Sequence, residues 1–123
     1  MGVVAGETVL EIRTYRLRPG TEEDFHHLVS EQCVPLLERF GITVVRYGPS
    51  ERDEDGVADY LLLRAFESLA ARDEQENRFY GSSEWRNGPR DGILGRIESY
   101  HTVVLTAAAD AVGALRRLET TAR

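Results

Sequence analysis

Apolar and polar positions alternate from residue 8 to residue 17, TVLEIRTYRL, as they do along a pleated strand. Leu10, Ile12 and Thr14 fall on one face and Glu11, Arg13 and Tyr15 on the other. Arg18-Pro19-Gly20 breaks the strand, and Thr21 followed by Asp24 predicts a helix N-cap with acidic residues in its first turn. Phe25, Leu28, Val29, Cys33 and Leu36–Leu37 then recur at the 3.6-residue period, through Phe40, until Gly41 stops the helix. Pro35 lies inside that stripe and lacks the amide that would bond the Glu31 carbonyl, so a bend is expected there. Ile42–Tyr47 is rich in β-branched residues and predicts a second strand. The acidic stretch Glu51–Asp55 reads as a solvated connection to a third strand, Val57–Phe66, where Leu61, Leu63 and Ala65 alternate against Tyr60, Leu62, Arg64 and Phe66. Ser68 opens a second helix running to about Tyr80, with a thinner stripe that includes Arg72 or Asp73, Glu76 and Phe79. Gly81-Ser82-Ser83 interrupts it, Ser83 is placed to cap a short turn carrying Trp85, and Tyr100–Thr106 is the fourth strand.

The order βαββαβ predicts an α+β, ferredoxin-like fold, a four-stranded antiparallel sheet with both helices on one face. Two helices cover only one face, yet both faces carry apolar or aromatic side chains. A second copy of the chain is the simplest cover for the other. Residues 1–106 form this domain. In the tail, residues 107–123, Ala111, Val112, Leu115 and Leu118 have helical spacing after Asp110, and a short helix that docks on the partner or frays is expected.

A length of 123 residues allows one domain with its own core. All 15 basic residues are arginine, which excludes a lysine Schiff base and the lysine of a phosphate-binding loop. A net charge of −6 disfavours nucleic acid as a partner. With Cys33 as the sole cysteine there is no intrachain disulfide, and a cytoplasmic location is expected. No apolar run reaches membrane-spanning length, and Met1-Gly2 departs from a myristoylation signal at Gly6.

Three pieces resemble the NIPSNAP family of dimeric α/β barrels: Glu11-Ile12-Arg13-Thr14-Tyr15-Arg16-Leu17-Arg18-Pro19-Gly20, then Ala65-Phe66-Glu67-Ser68-Leu69 with Arg72, then Glu84-Trp85. The similarity spans about residues 8 to 106. It implies two ferredoxin-like subunits joined sheet to sheet as a dimeric α/β barrel, with helices outside. It implies little about chemistry, because the wider superfamily includes cofactor-free monooxygenases, haem-handling proteins, isomerases and proteins with no assigned reaction.

Glu11, Arg13 and Tyr15 on the first strand align in alternation with Tyr60 and Arg64 on the third. Facing a partner subunit, Arg13 and Arg64 would hold a carboxylate or enolate while a tyrosine donates a hydrogen bond or proton. Equally, Glu11 would simply pair with Arg13 or Arg64 across the dimer. Tyr47 belongs to the rim of the same face, and Tyr80 and Trp85, flanking the Gly-Ser-Ser break, are candidates for pocket walls. His101, on a strand, is a candidate general base beside Tyr15 and Arg64. His26 and His27 point about 100° apart on a helix, so they read as exposed residues and no metal site is expected. Cys33 reads as inert packing.

Three functions stay open: a cofactor-independent enzyme moving protons on a carbonyl, enol or aromatic metabolite, a homodimer that binds a hydrophobic ligand or haem without turnover, and an assembly module. The expected partners are a second copy and a small molecule.

Overall fold

The computed structural model describes residues 5–53 and 55–121, residues 118–121 as helical backbone alone. The expectations attached to Met1-Gly2, to Glu54 in the acidic loop and to the Leu118 side chain lie outside the described residues. The elements are β1 (Glu7–Leu17), α1 (Glu22–Leu28), a π turn (Val29–Cys33), α2 (Val34–Arg39), β2 (Thr43–Pro49), β3 (Asp59–Phe66), α3 (Leu69–Tyr80), α4 (Ser83–Asn87), α5 (Arg90–Gly95), β4 (Ile97–Ala108) and α6 (Ala109–Thr121). The four strands form one antiparallel sheet in the order β2-β3-β1-β4, the ferredoxin-like arrangement.

Local chemistry explains where the helices turn. Pro35 cannot donate to Glu31 and its ring needs room, and the chain answers with the π turn just ahead of it rather than a break. Val29 and Cys33 stay buried through that turn. Gly41, at φ 79°, closes the helix, and the Ile42 amide donates to the Leu37 carbonyl at 3.0 Å. Ser68 caps α3, its Oγ accepting from the Ala71 amide at 3.0 Å. Two expected caps differ. Ser82, not Ser83, caps α4 by accepting from the Trp85 amide, and the Thr21 hydroxyl turns back to donate to the Arg18 carbonyl at 2.7 Å.

The main core lies between the sheet and α1–α5, where Leu17, Tyr60, Leu62 and Phe66 meet Phe25, Leu37 and Phe79. Residues paired across strands share a face, and the register sets Arg64 opposite Glu11, Tyr60 opposite Tyr15 and Thr102 opposite Arg13. The decorated face is therefore the one the chain's own helices cover, which corrects its expected exposure to a partner subunit. Alternation separates the faces without saying which one the helices meet. Here the broad rings of Tyr15, Tyr60 and Phe66 take the helical stripe, and α3 brings counter-charges to the polar residues among them.

The far face carries Leu10, Ile12, Leu63, Ala65 and Val45, the last at a bulge between Val44 and Arg46. α6 folds back onto this face within the same chain. Val112 is buried against Leu10 and Val45, and Arg116 Nε donates to the Val44 carbonyl at 3.0 Å. The tail thus forms the expected short helix, docked on its own chain's sheet.

Candidate functional site

An ionic cluster sits between the sheet and α3. Glu11 and Arg64 are both 0 % exposed, and Arg64 Nη2 donates to Glu11 Oε2 at 2.8 Å. Arg13 Nη2 stands 3.2 Å from the same oxygen, and Arg72 Nε stands 3.5 Å from Glu11 Oε1. Glu76, one turn along α3 from Arg72, lies 3.2 Å from Arg64 Nη2 and 3.4 Å from Arg72 Nη2. Three guanidinium groups thus face two carboxyl groups. Glu11 finds its partners within one subunit, so the expected pairing of Glu11 with Arg13 and Arg64 occurs, but not across a dimer.

A proton fits this cluster. Glu11 Oε1 and Glu76 Oε2 are buried and receive no hydrogen bond from an N–H or O–H among the described residues, although the two carboxyl groups are within hydrogen-bonding reach. One proton held by Glu76 and shared with Glu11 satisfies both oxygens. Burial, the hydrogen bond with Glu11 and its negative charge push Glu76 up to about 7 against the pull of Arg64 and Arg72. Burial also raises Glu11, but the bond from Glu76 and the charges of Arg64 and Arg13 outweigh it and hold this carboxyl below its ordinary range.

Beside the cluster opens a cavity of about 270 Å³, small on the scale of metabolite pockets, which run to roughly 300–1,000 Å³. Its polar groups are Arg13, Tyr15, Glu76 and Tyr80, and its apolar walls are Trp85, Ile93 and Ile97. Leu94 and Tyr100, the latter 58 % exposed, also line it. Arg13 is fixed there by donating from Nε to Thr102 Oγ1 at 3.0 Å and by standing 5.0 Å from the Tyr100 ring centre. The Tyr80 oxygen accepts from Arg64 Nη1 at 2.8 Å and Arg13 Nη1 at 3.2 Å, which occupies both lone pairs and leaves its O–H to donate. The Tyr15 hydroxyl has no hydrogen-bond partner among the described residues. Burial raises the pKa of both tyrosines, so both are donors at neutral pH.

Of the residues singled out in the sequence, Arg13, Tyr15, Tyr80 and Trp85 meet at this cavity. Arg64 and Glu11 lie behind it, sealed from solvent, where they hold Arg13 and Tyr80 rather than touch a ligand. His101 is not with them. It pairs with Thr14 and projects, exposed, from the opposite face of the sheet, because residue 101 is out of phase with Tyr100 and Thr102. Tyr60 and Tyr47 lie elsewhere. The Tyr60 hydroxyl is 2.6 Å from His26 Nδ1, and the rings of Tyr47 and His26 are 6.2 Å apart beside a separate groove of about 410 Å³. His26 is thus half-buried, whereas His27 is exposed beside Glu31. Burial pushes the Cys33 thiol up to about 11. The residues that sequence reasoning did not weigh as chemistry are Arg72 and Glu76. Their signal was present, a charged pair four residues apart in the buried stripe of α3. Among the described residues no cluster of histidine, cysteine or acidic side chains could hold a metal, and no helix is long and apolar enough to cross a membrane.

The NIPSNAP family model matches residues 10–111. The chain belongs to the NIPSNAP family. A solved NIPSNAP family protein of unknown function from Agrobacterium tumefaciens is 23 % identical, with a TM-score of 0.76 over 88 % of this chain and 95 % of that one. A second from the same organism is 18 % identical, with a TM-score of 0.74 over 89 % and 93 %. An uncharacterized NIPSNAP domain protein from Burkholderia xenovorans is 20 % identical, with a TM-score of 0.67 over 82 % and 95 %. At these identities the likeness establishes the fold. No curated protein matches the sequence. The NIPSNAP match takes in both the cluster and the cavity, and it continues into the first turn of α6.

Proposed function

We propose that this NIPSNAP protein is a homodimeric, cofactor-independent enzyme that moves protons on a small metabolite bearing a carbonyl or enol oxygen next to an aromatic or apolar body. One observation carries the reading: two tyrosine O–H groups with no acceptor among the described residues share a cavity of about 270 Å³ with a fixed guanidinium. Such donors match an oxygen that gains negative charge as a neighbouring carbon loses its proton. Arg64 and Glu11 serve as positioning residues, since a rigid network keeps the donors from reorganising during reaction.

The far face supports the homodimer. Beyond the footprint of α6, Val103 is 45 % and Leu105 41 % exposed, and Ile12, Leu61 and Leu63 are only half-buried. An apolar surface of this kind on an edge strand invites a second copy. Sedimentation should give a particle of twice the 13.8 kDa chain mass, and a single-chain particle at micromolar concentration would refute this part.

For the chemistry, exchange of the α-protons of phenylpyruvate in deuterated water, followed by NMR, is the test. The protein should accelerate exchange, and Tyr15→Phe should lower the rate by about 10²–10³-fold, the usual cost of losing one oxyanion donor. Saturable binding without acceleration would favour the ligand-binding alternative instead, and that alternative has its own support in the extensive pairing of Glu76. A haem version would have to rely on tyrosine, because among the described residues no histidine or cysteine lines the cavity.

A further inference from the structure

We propose that the cavity takes a monocarboxylate with an aromatic or apolar body, and that it does so with a proton held on Glu76. The inference rests on the small-molecule reading above and adds the ligand's charge and the proton that accompanies it.

The ligand's sign follows from the cluster. With Glu76 protonated, Arg13, Arg64 and Arg72 are opposed by Glu11 inside the site and, at its edge, by the exposed Asp73 at 3.0 Å from Arg72 Nη1, a surplus of one positive charge. With Glu76 ionised the surplus is gone. Only one of the three guanidinium groups, that of Arg13, lines the cavity, and the other polar walls are two tyrosine hydroxyls and the Glu76 carboxyl, which suits a single carboxylate better than a phosphate dianion. Trp85, Ile93 and Ile97 leave the remainder of the ligand an apolar or aromatic environment.

The proton follows from what faces Glu76. Glu11, Arg13 and Tyr15 approach from β1, Arg64 from β3, Arg72 and Tyr80 from its own helix, and Tyr100 from β4 across the cavity. A carboxylate entering the cavity adds a second negative neighbour to the one Glu11 already supplies. Its arrival therefore favours the protonated form of Glu76, and by reciprocity that form binds the anion more tightly. Because Glu76 is pushed up to about 7, this exchange falls in the neutral range.

Benzoate is the probe, followed by the fluorescence of Trp85, the chain's single tryptophan. Wild-type affinity should be about tenfold weaker at pH 8 than at pH 6, whereas Glu76→Gln should bind equally at both. Arg13→Gln should lose binding at both pH values, and benzylamine, a cation of similar shape, should not bind. Should Glu76→Gln fail to fold, the wild type still decides: in unbuffered solution at pH 7 each benzoate bound should draw in about half a proton, and no uptake would overturn the inference. Equal, pH-independent affinity in wild type and Glu76→Gln would overturn the proton coupling while leaving the small-molecule reading intact. Binding of benzylamine in place of benzoate would overturn the ligand's charge. Absence of any binding to folded wild type would overturn the inference together with the reading beneath it.

Discussion

Replacing Glu11 with glutamine removes the negative charge at the centre of the cluster and leaves the shape almost unchanged. Glu11 is fully buried and is approached by three guanidinium groups, Arg64 at 2.8 Å, Arg13 at 3.2 Å and Arg72 at 3.5 Å. Breaking a buried ion pair by removing one partner costs about 3–5 kcal/mol, because the other charge stays desolvated. The glutamine oxygen can still accept from Arg64, which returns about 1 kcal/mol. Glu76, relieved of its like-charged neighbour, ionises more readily and offsets part of the rest. The net loss should be about 2–3 kcal/mol, or roughly 8–12 °C in Tm for a domain of this size. Urea unfolding at pH 7, read by circular dichroism, measures it. The sign of the pH dependence is fixed as well. Since the folded pKa of Glu11 lies below its ordinary 4.5, its stabilisation is present above that value and is lost as pH falls through the folded pKa. Wild type and variant should therefore converge in acid. A loss below about 0.5 kcal/mol at pH 7, or curves that stay parallel into acid, would refute the view that Glu11 anchors the three arginines.

Other positions give independent checks. Glu76 has a raised folded pKa, so the unfolded chain releases this proton first. Wild-type stability relative to Glu76→Gln should fall as pH rises from about 4.5 to about 7, and a rising difference would contradict the assignment. Cys33 is buried with its thiol pushed up to about 11, so an aromatic disulfide reagent should modify it only as fast as the chain opens, and at once in denaturant. Tyr60→Phe and His26→Phe each remove one end of the 2.6 Å contact; a double-mutant cycle should return about 1 kcal/mol of coupling, and zero would show that the two act separately. Val112→Ala takes two methyl groups from the junction of α6 with Leu10 and Val45 and should cost about 2 kcal/mol in urea unfolding; no effect would mean that α6 does not dock there in solution.

The architecture was legible because alternation and helical period carry it. The four strands, the capped α3, the stop at Gly41 and the family resemblance all follow from patterns a few residues long. The orientation of the sheet was not. Glu11, Arg13 and Arg64 share a face by periodicity, but what covers that face is decided by how α1–α5 pack, and local sequence does not encode it. Their partners, Arg72 and Glu76, sat in a stripe too weak to read as a buried face until Arg64 was seen beneath it. His101 shows the opposite limit. Its chemistry groups it with Tyr15 and Arg64, but a one-residue phase difference along β4 puts it on the other side of the sheet. At the cavity, Tyr15, Tyr80 and Trp85 were visible as aromatic residues, but their uncommitted donors became apparent only once the hydrogen bonds of Arg13 and Arg64 were traced.

The spare donors of Tyr15 and Tyr80, backed by Arg13, form the binding end of the proposed site. A crystal structure of the protein with phenylpyruvate tests it most directly. A ligand oxygen should lie within hydrogen-bonding distance of both hydroxyls, with the ring against Trp85. Ligand bound instead on the far face beside His101, or the two hydroxyls turned away from an occupied cavity, would contradict it.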